Sequence, residues 1–237
     1  MAAIIVNLEC ITNMHVGNGD VNYNIIDNEV EKDVVTGYPT INSSGVKGAL
    51  REYFVKQGIA KTEIDKIFGA DKGGELKFLN ADMVAIPVRA SAGNQAFYYV
   101  STEKAMETQK NNYLFFLKKE EDFATVDVVG KRQAEGIELT KAVSFEGKEI
   151  HILEEQEYRK LSLPVLARNK LDDGRSVNLW YEEVVPHKSL FAFVVLAEED
   201  AKASLELFKA TIDGKIVQFG GNASIGYGLC KVSVKEG

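Results

Sequence analysis

The stretch HVGNGDVNYNIIDNEVEKDVVTG (15–37) holds the densest set of side chains able to do chemistry: His15, Asp20, Asp27, Glu29, Glu31 and Asp33. Ionised carboxylates in a loop that faces phosphates can hold a divalent metal or accept a proton. An imidazole can move a proton near neutral pH. A solvated acidic loop explains the same composition, and spacing alone favours that plainer reading. His151 and His187 stand apart, and no Cys/His cluster has zinc-ligand spacing.

Three further stretches carry groups that suit an anion. TGYPTINSSGVKGALR (36–51) reads as a turn running into a helix capped by Ser43 or Ser44. Lys47 and Arg51 are four apart and share a helix face. Helix N-termini attract anions through free N–H groups and the dipole; an ordinary solvated face is the alternative. GGNASIGYG (220–228) places Gly220, Gly221, Asn222, Gly226 and Gly228 in one loop. It is no dinucleotide fingerprint, because the spacing differs and a strand follows. It is either a phosphate cradle or a connection with special backbone angles. The hairpin LPVLARNKLDDGRSVNLWYEEVVP (163–186) turns at Asp172-Asp173-Gly174, with Arg168, Lys170 and Arg175 placed near its tip. A basic tip can reach into nucleic acid, or simply keep an edge hairpin soluble.

These groups must be positioned by a framework, and the apolar patterning supplies one. Strands are expected at 2–11, 74–90 (interrupted near Asn80), 96–101, 189–197, 215–219 and 229–235. Helices are expected at about 45–57, 62–69 and 198–214, with Ser101 capping another through Met106. A small hairpin turns at Glu146-Gly147. Residues 12–42 read as a long loop, and 118–160 is weakly patterned. With the middle removed, the order is strand, helix, strand, strand, helix, strand. That is a βαββαβ unit of the ferredoxin-like or RRM-like kind, an α+β class. One domain (1–237) is expected, with a palm from 1–101 and 187–237 and an insertion at 102–186.

The chain has 237 residues, 45% hydrophobic, and a net charge of −7. Its acidity argues against a free-standing, non-specific nucleic-acid binder but leaves room for a local basic groove. No run approaches the ~20 apolar residues of a membrane span. The N-terminus reads as a strand and not as a leader. Cys10 and Cys230 are expected as reduced, buried thiols of a cytoplasmic protein.

In chain order, HVGNG (15–19), Asp27, TGYPTINSSGVKGALR (36–51), IFG (67–69), PVR (87–89), LWYEEVVP (179–186) and QFGGNASIGYG (218–228) resemble the RAMP superfamily of CRISPR-associated proteins. More narrowly they resemble the fourth Cmr subunits, the repeated backbone proteins of type III-B effector complexes. That resemblance implies a palm, a β-hairpin thumb at 163–186, and copies stacked head to tail on a guide RNA with other Cmr subunits. It implies endonucleolytic cleavage of single-stranded target RNA at regular intervals, in antiviral defence. It places the catalytic and metal-binding acid at Asp27, with Mg²⁺ or Mn²⁺ as cofactor, and His15 and Glu182 as secondary catalytic groups. Ser43, Ser44, Lys47, Arg51, Arg89, Arg168 and the 220–228 backbone become RNA contacts. The chain departs from the family in the acidic run Asn28–Asp33 and in a shorter middle. Two other functions stay open: a backbone subunit that does not cut, and a stand-alone guide-processing nuclease with His15 as base.

Overall fold

The computed structural model describes residues 1–19, 26–70, 73–120 and 123–237. The apolar run after Met1 forms β1 (Ala2–Cys10). Ile4, Val6, Leu8 and Cys10 pack on one side and Ile5 on the other, all buried. A strand buried on both faces needs cover on both. The following long segment makes only single bridges among its described residues: Met14 to Val185, Gly17 to Val30, Asn28 to Glu182 and Lys32 to Pro39. It ends in β2 (Thr40–Ile41), paired with Asp82 and Ala81.

In α1 (Ser43–Lys56), Val46, Leu50 and Phe54 form the buried stripe. The expected serine cap is not formed, because the helix begins at Ser43 itself. Asn80, 37 residues on, supplies the capping oxygen: its Oδ1 accepts from the Ser43 N–H at 2.8 Å. Helix α2 (Lys61–Phe68) ends on Gly69 at φ +83°. Then come β3 (Leu76–Phe78), β4 (Ala81–Ala92), β5 (Phe97–Thr102) and α3 (Glu103–Asn112). Thr102 caps α3, its hydroxyl accepting from the Ala105 N–H at 3.2 Å. Ser101, the expected cap, is one residue too early and donates instead to the Val84 carbonyl at 2.6 Å.

The weakly patterned middle contains β6 (Val126–Asp127), β7 (Gln133–Ala134), β8 (Ile137–Glu138), β9 (Lys141–Phe145), β10 (Lys148–Leu153) and the single turn α4 (Glu155–Tyr158). Next are β11 (Val165–Asp172) and β12 (Arg175–Glu183), joined by Asp173 (φ +46°) and Gly174 (φ +77°). Two successive positive φ values suit the twist of a hairpin. The chain closes with β13 (Leu190–Ala197), α5 (Lys202–Ile212), β14 (Ile216–Gln218) and β15 (Leu229–Glu236).

The result is a mixed α/β fold on one large mixed sheet, ordered β14-β15-β1-β13-β4-β5-β10-β9-β6. Its centre, β15-β1-β13-β4, is antiparallel throughout; β5 and β10 run parallel. One sheet face carries α1, α2 and α5, tied by an aromatic cluster with Phe54 5.1 Å from Phe68 and 5.7 Å from Phe208. The opposite face is covered by Met106, Tyr113 and Leu117 together with Val143, Phe145 and Ile150 of β9 and β10. Strands β11 and β12 stand apart as a two-stranded ribbon. Cys10 and Cys230 face each other across β1 and β15 as free thiols, sulfurs 3.8 Å apart. The Cys230 thiol beside it and burial push the Cys10 thiol well up. No helix of the described residues is long and apolar enough to cross a membrane.

Candidate functional site

Glu182 and Glu183 are consecutive residues of β12, so their side chains leave the strand on opposite faces. Both are buried, at 3% and 6% exposure. A buried carboxylate keeps its charge only when partnered, and each of these has two partners. Glu182 accepts from Arg168 Nη1 at 3.1 Å and from Asn222 Nδ2 at 2.7 Å. Glu183 accepts from the Val30 N–H and from Lys32 Nζ, both at 3.1 Å. The base of the ribbon is thereby clamped between the glycine loop on one face and residues 28–32 on the other.

Asp27 joins the same strand through the backbone. The N–H groups of Asp27 and Asn28 donate to the Tyr181 carbonyl at 3.0 and 3.2 Å. The Tyr181 N–H donates back to Asp27 Oδ2 at 2.7 Å. Asp27 is exposed, and its Oδ1 has no partner among the described residues. His15 is buried and bonds the same strand two residues further on, with Nδ1 2.8 Å from the Glu183 carbonyl oxygen. A carbonyl only accepts, so Nδ1 is the donor in this bond and Nε2 is the ring nitrogen left for other partners. A Cβ on Gly17 would stand 3.1 Å from that Nε2, so the glycine leaves it room.

The glycine loop is stitched to this segment. Gly221 donates to the His15 carbonyl and Gly228 to the Asn13 carbonyl, each at 2.8 Å. A Cβ on Gly220 would lie 2.3 Å from the His15 carbonyl oxygen, and one on Gly228 1.8 Å from that of Phe219. Both also hold positive φ, so no other residue fits. Asn222 is itself left-handed, at φ +59°, as it presents its amide to Glu182. Gly226, also at positive φ, closes the short turn Ala223–Ile225 against open space.

Arg168 is not at the hairpin tip. The two-residue turn pairs Asp172 with Arg175, and a bulge between Lys170 and Leu171 shifts the register by one, so that Arg168 lies opposite Trp180, midway along the ribbon, and reaches back to Glu182. Its guanidinium carbon stands 5.9 Å from the Trp180 ring centroid and 5.5 Å from that of Tyr227.

The RAMP superfamily model matches residues 7–231. The chain belongs to the RAMP superfamily. Within it, the likeness is to Cmr4. This RAMP chain is 25% identical to the CRISPR system Cmr endoribonuclease Cmr4 of Pyrococcus furiosus, over 100% of this chain and 97% of that protein. It is 30% identical over 112 residues to the CRISPR system CMR subunit Cmr4 of Saccharolobus solfataricus, spanning 44% of this chain and 36% of that one. Its fold matches a chain of the type III-B Cmr-beta complex bound to cognate target RNA, with a TM-score of 0.80, 22% identity, and 99% and 97% coverage. It also matches oligomeric Cmr4 from Pyrococcus furiosus, with a TM-score of 0.77, 23% identity, and 100% and 99% coverage.

Of the residues singled out in the RAMP sequence, the fold brings together His15, Asp27, Glu182, Arg168, Gly220, Gly221 and Asn222. Ser43, Ser44, Lys47, Arg51 and Arg89 make no bond to that cluster. Arg51 holds α1 to α2, donating to Asp65 Oδ1 at 2.8 Å and to the Gly69 carbonyl at 3.1 Å. Lys47 is half-buried and forms no ion pair among the described residues. Arg89 is exposed on β4, and Asp20 lies outside the described residues.

No group of three His, Cys, Asp or Glu side chains among the described residues could hold a metal. Both oxygens of Glu182 and of Glu183 are engaged, so these carboxylates do not form a protein-built cage. Asp27 Oδ1 fits the other common arrangement, in which one carboxylate shares an ion with water and substrate phosphate. The sequence reading overlooked Glu183, Lys32, Trp180 and Tyr227. The available signal was two adjacent acids at the end of a strand running into the apolar Val184-Val185, where both faces are buried.

Proposed function

We propose that this chain is the guide-RNA-binding backbone subunit of a type III-B CRISPR effector complex and that it cuts bound target RNA at Asp27. The observation that carries the reading is the convergence of Asp27, His15, Glu182 and the glycine loop on the base of one ribbon. The central order β15-β1-β13-β4, with α1 and α5 between its strands in sequence, supports a ferredoxin-like palm (1–101 and 187–237). The isolated β11–β12 ribbon supports a thumb within the 102–186 insertion. Head-to-tail copies, other Cmr subunits, guide RNA and single-stranded target RNA are the partners, in the cytoplasm. Such heterologous contacts build open assemblies.

Cleavage uses the RNA's own 2′-OH, held in line with the leaving 5′-oxygen. Asp27 Oδ1 is exposed and unpartnered, so it can accept the 2′-OH hydrogen bond and orient that oxygen. The Tyr181 N–H fixes the other carboxylate oxygen and with it the carboxylate's direction. His15 Nε2, with Nδ1 donating to the Glu183 carbonyl, can hold or take a proton at the reacting ribose. Glu182 acts as a positioning group, because Arg168 and Asn222 occupy both of its oxygens. A divalent ion on Asp27 Oδ1 and the RNA phosphate would neutralise charge that builds on the phosphate oxygens. Lys47, Arg89 and the start of α1 are proposed to contact guide phosphates, which carry no sequence information.

Size and RNA-content analysis of the natively purified assembly tests the reading. A large ribonucleoprotein with several copies of this chain is expected. A lone subunit that cuts repeat RNA in EDTA would replace it with the stand-alone nuclease. The acidic run Asn28–Asp33 gives weight to a non-cutting subunit, which assembles identically but leaves matched target RNA intact in any divalent metal.

A further inference from the structure

Arg168 is the best-surrounded cation of the ribbon, and its surroundings do not suit a phosphate clamp. Glu182 neutralises it at 3.1 Å, and Asn222 holds Glu182 in place at 2.7 Å. Its guanidinium carbon instead stands 5.9 Å from the ring centroid of Trp180 on β12 and 5.5 Å from that of Tyr227 in the glycine loop, two rings from different parts of the chain. All three side chains remain partly open to solvent. Among the described residues, β11 and β12 pair only with each other and extend no other sheet.

We propose that Trp180, Arg168 and Tyr227 form one stacking platform that receives a base of single-stranded RNA. The inference rests on the RNA-cleaving reading above and names the group that holds the substrate beside Asp27. A guanidinium whose charge is already balanced still offers a flat face, as do indole and phenol rings. Every base has a π-face, so such a platform holds RNA without selecting a sequence. Position supports the assignment. Trp180 is the neighbour of Tyr181, whose N–H holds Asp27 Oδ2 at 2.7 Å. A base resting on Trp180 therefore brings its own ribose and phosphate alongside the open oxygen of Asp27. The same stack joins the ribbon to the glycine loop, so the platform exists only when both elements are docked.

The chain contains a single tryptophan, so Trp180 reports on its own surroundings. The full-length chain is titrated at low salt with an oligouridylate and with an abasic ribose-phosphate oligomer of equal length. Binding is followed by anisotropy of an end label, and stacking by Trp180 fluorescence. The base-bearing strand is expected to quench Trp180 at saturation and the abasic strand to leave it unchanged. Tyr227→Ala is expected to weaken oligouridylate binding about tenfold, within the range of one lost base–aromatic stack, and to leave abasic binding unaltered. Arg168→Lys, which keeps the charge but loses the flat face, should lower oligouridylate affinity in the same selective way. Equal quenching by both strands, equal loss for both strands, or no binding of either would overturn the platform. None of these results depends on cleavage, so the platform can fail while cutting at Asp27 stands. An assembled complex that does not cut would leave the quenching result intact.

Discussion

Replacing Arg168 with Met should expose how much of the site is held by one buried ion pair. The side chain of Glu182 is only 5% exposed and that of Arg168 24%. Removing one partner of a buried pair costs about 3–5 kcal/mol, because a charge is left behind in a poor solvent. Here the Asn222 amide still donates to Glu182 at 2.7 Å, and Arg168 is partly open to water. We therefore expect about 2–3 kcal/mol. For a chain of this size that corresponds to a fall in Tm of about 5–10 °C. Glu182→Gln in the Arg168→Met background removes the stranded charge but keeps an acceptor for Asn222. The double variant should regain about 1.5–2 kcal/mol over Arg168→Met alone. Urea unfolding monitored by circular dichroism gives all four corners of the cycle. A coupling below about 0.5 kcal/mol would mean that the pair behaves as a solvated surface contact, and the clamp at the ribbon base would have to be abandoned.

Gly220→Ala and Gly228→Ala should each lower stability by more than 2 kcal/mol, since the new Cβ meets a backbone carbonyl at positive φ; Gly226→Ala, facing open space, should cost only about 1 kcal/mol of backbone strain. Thermal melts of the three variants check this, and equal losses would contradict the packing described. Asp82 is pushed up to about 6 by burial and by the charge of Asp33. The folded chain therefore holds a proton there that the unfolded chain releases near pH 4, and stability falls as pH rises from about 4 to 6. Asp82→Asn should raise stability at pH 7.5 by about 1 kcal/mol, after allowance for solvent screening, with the gain vanishing near pH 4; a pH-independent difference would refute the cause given. Lys47→Ala should weaken guide RNA binding across sequences and lower the salt slope by about one, and an unchanged slope would remove Lys47 from the phosphate contacts.

The central strands and helices were legible because their signals are local. β1 and β13 are apolar runs, α1 repeats its buried residues at helical spacing, and Asp173-Gly174 is a strong turn. The site was legible only in part, because its bonds span large separations. Asn80 caps a helix 37 residues earlier, and Glu183 reaches Val30 across 153 residues. The described residues between Met14 and Pro39 are held by single bridges, which leave no periodic trace in composition. Arg168 looked like a tip residue because charge was counted along the chain. The register places it midway along the ribbon, where it meets Trp180 and Tyr227 and reaches back to Glu182. The glycine loop looked like a phosphate cradle or a strained connection. Gly220 and Gly228 have a structural reason of their own, while Asn222 carries a side-chain role that composition does not show.

The most direct test is Asp27→Ala in the assembled complex, given matched target RNA and Mg²⁺. The substitution removes the one exposed carboxylate oxygen of the cluster and leaves the backbone bonds to Tyr181 in place. The account predicts an assembly of normal size and guide content that no longer cuts at regular intervals. Unchanged cleavage by that assembly would contradict it.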